Sequence, residues 1–238
     1  MTDEPLFDAH ADAYDDEMAA ALSATGEDKE YFARARIAWL RRCLDKRRVR
    51  PQRVMDYGCG TGSATPYLFD ELDVASVVGV DVSPQSLDLA AKRWGSPRTS
   101  FSRVTADATG AGTFDLAFCN GVFHHIPVSD RPAALAYIHA ALEPGGWFAL
   151  WENNPWNPGT RFVMSRCAFD RDAIRLSPPE TRSLLRARGF EIVDTSFLFI
   201  FPNALRWLRW VEPHVSRLPL GGQYQVLCRK SARSGRTA

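Results

Sequence analysis

The stretch VMDYGCGTGSA, residues 54 to 64, places Gly58, Gly60 and Gly62 in GxGxG spacing, with the carboxylate of Asp56 two residues before the first glycine. Glycines at a strand-to-helix turn permit tight torsions and let a ligand approach the backbone. A nicotinamide-binding turn reads GxGxxG and rests a pyrophosphate on a helix amino terminus. Here Ser63 stands where that pattern needs its third glycine. An acid at Asp56 repels a pyrophosphate and attracts a ligand that carries an ammonium group. Asp81 follows 19 residues after Gly62, near the spacing at which an acid accepts from both hydroxyls of a ribose. Ala106 and Asp107 are placed to bracket an adenine and accept from its exocyclic amine, and Asn120 and Gly121 end the next apolar run. The chemistry implied is recognition of a cation-bearing nucleoside.

The elements that must position these residues are legible as alternating short apolar runs and helical patterns, the signature of a parallel sheet with right-handed crossovers. Strands are expected at 53–57, 75–81, 99–105, 114–119 and 146–151, so that four successive strand ends meet at one crevice, where open α/β sheets bind ligands. Ser83 and Pro84 open a helix over SLDLAAKRW as cap and first helical residue. Ser177, Pro178, Pro179 and Glu180 form a capping box before TRSLLRAR, and Gly189 suits a left-handed helix end. Two later strands, EIVDTSFLFIF and GQYQVLCRK, are joined by a partly helical insertion, PNALRWLRWVEPHVSRLPL, with Gly221 and Gly222 just before the second.

With 238 residues, 45% hydrophobic and 24% charged, the chain fits one domain over residues 1–230 and a disordered tail over 231–238. A formal charge of +1 gives no global field for nucleic acid or an acidic membrane. The acidic start, MTDEPLFDAH, lacks the pattern of a secretory signal, and no apolar run reaches the length of a membrane span, so a cytoplasmic protein is expected. Five scattered cysteines without a CxxC pair argue against a disulfide framework and against a metal site.

Over roughly residues 50–150 the sequence resembles the class I S-adenosylmethionine-dependent methyltransferases: DYGCGTG as the first motif, GVDVS as the acidic strand end, ADAT as the adenine contact, FDLAFCNGVFHHIP as the fourth strand and its loop, and LEPGGWFAL entering strand five. The resemblance implies a Rossmann-like, doubly wound α/β sheet of seven strands, mostly parallel with an antiparallel last strand. It also implies methyl transfer, with S-adenosylhomocysteine as product, and leaves the acceptor open. Carried onto this chain, it assigns Asp56, Gly58, Gly60 and Gly62 to the methionine end, Asp81 to the ribose, Ala106 and Asp107 to the adenine, and Asn120 and Gly121 to the ground beneath the sulfonium, with Cys59 and Val82 as further cofactor-binding positions. Residues 1–48 resemble a helical cap over the 50–151 core. Tyr14 is assigned there to the cofactor and His10 to the acceptor, while Arg34 and Arg36 are possible partners of the cofactor carboxylate.

Methyl transfer is a displacement at an activated carbon, so a base matters only when the acceptor must lose a proton. His124, His125 and Glu152, each just beyond a strand end, are the catalytic candidates, with His125 placed first. Glu152 is open to two roles, orienting a histidine or binding acceptor hydroxyls. The phrase WENNPWNP superficially resembles the Asn-Pro-Pro-Tyr box of amine methyltransferases, but it follows strand five and lacks the second proline, so nucleic-acid methylation is not expected. It is instead expected to face the acceptor, Asn153, Asn154 and Trp156 contributing, as part of a 152–176 insertion. In the 202–221 insertion Trp207 and Trp210 are expected to pack on the sheet or roof a pocket; seating at a bilayer is the less favoured alternative. The expected activity is methylation of an oxygen or carbon of a small, partly apolar metabolite, in the biosynthesis of specialised metabolites. The alternatives are a lipid or lipid-linked sugar as acceptor, and cofactor binding without methyl transfer, as a scaffold or non-redox catalyst; oligomeric state is left open.

Overall fold

The computed structural model describes residues 25–105, 110–166 and 173–232. His10, Tyr14, Ala106, Asp107 and the tail from 233 onward lie outside the described residues.

Seven strands form one sheet: β1 (Arg53–Tyr57), β2 (Ser76–Asp81), β3 (Thr99–Arg103), β4 (Phe114–Asn120), β5 (Leu142–Asn153), β6 (Phe190–Leu198) and β7 (Gln223–Lys230). Their order is β3-β2-β1-β4-β5-β7-β6, with β1 to β5 parallel and β7 antiparallel to both of its neighbours. The expected seven-stranded, doubly wound sheet with its last strand inserted antiparallel is what the chain builds. The strand order reverses between β1 and β4, which opens a crevice at their carboxyl ends.

Both faces of the sheet are covered, and the two-residue period decides which side chain goes where. Met55, Ala117, Cys119, Phe148, Leu150 and Val226 join one apolar cluster with Leu135, Ile138 and Leu185 from the helices α4 (Arg131–Ala141) and α6 (Pro178–Ala187). Val54, Leu116, Phe118, Ala149 and Leu227 join the other with Ile37, Leu40 and Leu44 of α1 (Lys29–Asp45) and Leu68 of α2 (Thr65–Leu72). The caps behave as the sequence suggests. Ser83 accepts from the Ser86 amide at 3.1 Å to open α3 (Pro84–Trp94), and the Ser177 amide donates to Glu180 at 2.7 Å to open α6. Gly189 closes α6 at φ +81°. β5 begins earlier than the apolar run suggests, at Leu142, because a register irregularity against β4 absorbs the Pro144 to Gly146 turn.

Beyond β5 lie α5 (Pro158–Arg166), a 3₁₀ helix over Asn203–Val211 and the short α7 (Glu212–Val215). The expected packing of the tryptophans in the 3₁₀ helix does not occur: Trp207 is 67% and Trp210 71% exposed. Three residues per turn place residues 204, 207 and 210 in one line, and that line faces outward. The segment is held instead by Arg209, whose Nε donates to the Phe201 carbonyl at 3.1 Å and whose Nη2 meets Glu27 at 2.8 Å. The cysteines described are buried free thiols, and burial pushes Cys43 up to about 11.

Candidate functional site

The carboxyl ends of β1, β2 and β4 open into a cavity of about 1390 Å³, closed on the far side by α1, α5 and the segment after β6. Asp56, Gly58, Cys59, Gly60, Asp81, Val82, Asn120 and Gly121 line it, together with His124, His125 and Asn153. The glycine turn takes the conformation its residues suit: φ is +71° at Gly58, +52° at Gly60 and +75° at Gly62. A Cβ at Gly60 would meet nothing within 4 Å, so this backbone faces open space. Asp81 ties the turn to the second strand end, accepting from the Gly60 amide at 2.8 Å and from the Ser83 amide at 3.0 Å.

Two side-chain oxygens here are buried without a protein partner, Oδ2 of Asp56 and Oδ1 of Asn120. They sit on the adjacent strands β1 and β4, and buried polar atoms of this kind call for a donor. Burial, with the Asp81 carboxylate adding to it, pushes Asp56 up to about 7. The pair therefore suits a ligand that brings an ammonium or amine, and with the glycine cradle it fits S-adenosylmethionine.

A sign follows for pH. The folded-state value of Asp56 lies above the unfolded one, so its ionisation opposes folding as pH rises from about 4 to about 7, at a cost on the order of 2–4 kcal/mol at neutral pH. A cationic ligand favours the ionised form, so affinity is expected to rise with pH up to about 7 and then level off, with a proton released on binding below that point. Calorimetry in buffers of different ionisation heat reads that proton. Asp56→Asn should abolish the release, weaken binding, and raise the melting temperature at pH 8.

The loop after β4 is a rigid platform. Arg131 is buried at the start of α4; its Nε donates to the Phe123 and Ile126 carbonyls, both at 3.1 Å, and its Nη2 to that of Ile174 at 2.7 Å. The Ile174 amide in turn donates to the His124 carbonyl at 2.8 Å. Glu152 at the end of β5 is 1% exposed; its Oε1 accepts from the Phe123 amide at 2.8 Å, and its Oε2 lies 2.6 Å from Nδ1 of His124. Both oxygens are thus engaged, and of the two roles open to Glu152 the geometry provides the orienting one. A Cβ on Gly121 would lie 3.7 Å from His124 Cε1, so the imidazole edge stands over the strand-end turn. His125 packs against His124 with ring centroids 4.0 Å apart and the planes tilted by 47°, and it also lines the cavity.

The WENNPWNP stretch divides. Asn153 and Asn157 line the cavity, whereas Asn154 and Trp156 do not. Asn154 is fully buried, its amide donating to the carbonyls of Pro219 at 3.2 Å and Gly221 at 2.8 Å while its oxygen accepts from the Trp156 amide at 3.2 Å. Its role is to stitch two loops, and Trp156 is 51% exposed. Arg34 pairs with Glu71 at 2.8 Å on the outside, but Arg36 lines the cavity, packed over the rings of Phe32 and Phe199 at 5.9 and 5.8 Å. Its Nε donates to Gln223 at 2.8 Å, and Gln223 donates to Asn153 at 3.0 Å.

Sequence reasoning missed the wall formed by Phe199, Ile200 and Phe201. These three consecutive amides donate to the buried carboxylate of Glu212 at 3.2, 3.1 and 3.0 Å. Phe199 is held at φ +65°, a conformation that a bulky residue adopts only when its surroundings impose it. The available signal was Glu212 itself, the one acid in an insertion of apolar and basic residues.

A sheet of this order with a glycine cradle at its switch point defines a nucleoside-binding α/β fold, and comparison with known proteins gives the class. A family model described as a methyltransferase domain matches residues 55–148. A trans-aconitate 2-methyltransferase of Rhodopseudomonas palustris is 32% identical over 202 residues, covering 77% of this chain and 78% of that protein. An uncharacterized methyltransferase of Synechocystis is 35% identical over 151 residues, 60% of this chain and 68% of that one. Among solved structures, the methyltransferase in complex with the Trm112 activator of Haloferax volcanii superposes with a TM-score of 0.64 at 22% identity, covering 95% of this chain and 98% of that one. The chain belongs to the class I S-adenosylmethionine-dependent methyltransferases. Among the described residues no helix is long and apolar enough to cross a membrane, and no group of three His, Cys, Asp or Glu side chains is arranged to hold a metal ion.

Proposed function

We propose that this enzyme methylates an oxygen or an acidic carbon of a small, partly apolar acceptor, with His124 as the base and Glu152 positioning it. The observation that carries this reading is the buried 2.6 Å contact between His124 and Glu152 at the wall of the cavity that the glycine turn opens. A carboxylate at Nδ1 selects the tautomer with the proton on that nitrogen, which leaves Nε2 as the acceptor. S-adenosylmethionine supplies, when bound, a methyl group on a sulfonium, a carbon already activated for displacement. Nε2 of His124 takes the acceptor's proton as its oxygen or carbon becomes nucleophilic, and Glu152 steadies the resulting imidazolium through Nδ1. The platform pinned by Arg131 keeps this histidine from drifting, and the aromatic wall of Phe32, Phe199 and Phe201 excludes water and packs the apolar part of the acceptor. Arg36, packed over the edge-to-face pair of Phe32 and Phe199 at the cavity wall, is the group we assign to a carboxylate of the acceptor. The relative from Rhodopseudomonas, named for a carboxylic acid substrate, puts acids alongside phenols and enolisable ketones in the first acceptor panel.

The test begins with calorimetric titration by S-adenosylmethionine, its demethylated product and NAD. Micromolar binding of the first two and none of NAD is expected. In the same assay Asp81→Ala should weaken binding by about 1–3 kcal/mol, the loss of a hydrogen bond to a charged acceptor. Unchanged affinity would remove Asp81 from the cofactor site. Product from none of the hydroxyl or acidic-carbon acceptors, with transfer to an amine instead, would overturn the choice of atom.

A further inference from the structure

The outward face of the 3₁₀ helix is apolar, basic and next to the cavity. Trp207 and Trp210, one turn apart, are 67% and 71% exposed, and no residue of Asn203–Val211 is buried. Folding does not use these indoles, since Arg209 and Glu212 hold the segment through hydrogen bonds. Leu218 and Leu220, 50% and 53% exposed, extend the apolar character of the same insertion. Exposed tryptophans of this size are uncommon on a surface without a partner.

Within the insertion the exposed charge has one sign, and the acid at its edge, Glu27 of the segment before α1, is paired with Arg209. Arg206 and Arg217 are exposed in the same insertion, and its single acid, Glu212, is buried and saturated by three amides. Indoles beside arginines, with no exposed acid within the insertion itself, match the headgroup region of a bilayer rich in anionic lipid, where the ring seats at the boundary and the guanidinium meets phosphate. The face is continuous with the site: Phe201, Pro202 and Arg209, which frame the 3₁₀ helix, line the cavity. We propose that this insertion docks the enzyme peripherally on an anionic lipid surface, with the cavity beside the contact. The proposal concerns where the chain works and holds whichever atom is methylated.

The experiment is co-sedimentation of the full chain with vesicles of phosphatidylcholine alone and of phosphatidylcholine mixed with phosphatidylglycerol. Binding to the mixed vesicles is expected, with little on the neutral ones and release at about 0.5 M salt. Trp207→Ala with Trp210→Ala should lower the bound fraction roughly tenfold or more, and Arg206→Glu should lower it by a similar factor. Thermal melts and S-adenosylmethionine affinity of both variants should match the parent, since these side chains are exposed and away from the cofactor strands. No binding by the parent, or binding that survives the double tryptophan substitution, would overturn the proposal. So would a parent that stays off vesicles but self-associates through the same two tryptophans, which would give the face to a second copy.

Discussion

Alanine at His124 is expected to lower methyl transfer by about two to four orders of magnitude while leaving S-adenosylmethionine affinity within roughly twofold. The imidazole lines the cavity, and β1 and β2 hold their contacts without it. Removing the ring leaves the Glu152 carboxylate buried without its partner, so the variant must first be shown to be folded. Glu152→Gln separates positioning from scaffolding. A glutamine has one acceptor oxygen where the Phe123 amide and His124 Nδ1 each face a carboxylate oxygen, so turnover should fall at least about tenfold while S-adenosylmethionine affinity stays within roughly twofold. Unchanged turnover in the folded variant would mean that Glu152 supports the loop alone. Full activity in both variants would mean that the enzyme works by positioning, with no proton acceptor at His124.

Gly221→Ala should lower stability by about 3 kcal/mol, a drop in melting temperature of roughly 6–12 °C. A Cβ there would overlap the backbone nitrogen and oxygen of Leu198, atoms that cannot swing aside as a side-chain tip can. The crossing is also a junction: the Gly222 amide donates to the Phe199 carbonyl at 3.1 Å, while the Gly222 carbonyl accepts from the Asn154 amide at 2.9 Å and the Thr160 hydroxyl at 2.6 Å. Gly222→Ala is the internal control. Its nearest contacts, Thr160 Oγ1 at 3.2 Å and the Phe199 carbonyl at 3.3 Å, allow a milder loss. Equal melting temperatures for the two variants would contradict this ranking.

What was legible in the sequence is what local chemistry dictates. The turn at Gly58 to Gly62, the capped helices at Ser83 and Ser177 and the short apolar runs of β1, β4 and β7 each declare themselves within a dozen residues. The doublet at Gly221 and Gly222 was visible too, but not the backbone it must clear, because Leu198 lies on another strand. The site's remaining parts depend on contacts between distant segments. Nothing near Glu152 tells that His124 rather than His125 receives it, since adjacent residues in a loop can face either way. Asn153, Asn154 and Asn157 look equivalent in WENNPWNP, yet the loop over residues 219–221 buries Asn154 and takes a hydrogen bond from Asn157, which with Asn153 still lines the cavity. The tryptophans of the 3₁₀ helix were expected to pack inward because aromatic residues usually do; three-residue periodicity lined them up on the wrong side for that.

The grip of Glu212 on three consecutive amides has a consequence for diversification. A loop shaped through its main chain keeps its path when its side chains change, so Ile200 and Phe201 can be exchanged for smaller or polar residues while the carboxylate still fixes where they point. Libraries confined to these two positions would recontour the chamber without moving the histidine platform, and selectivity could then be altered separately from rate. The same economy is open to natural drift: one retained acid lets the neighbouring residues vary freely.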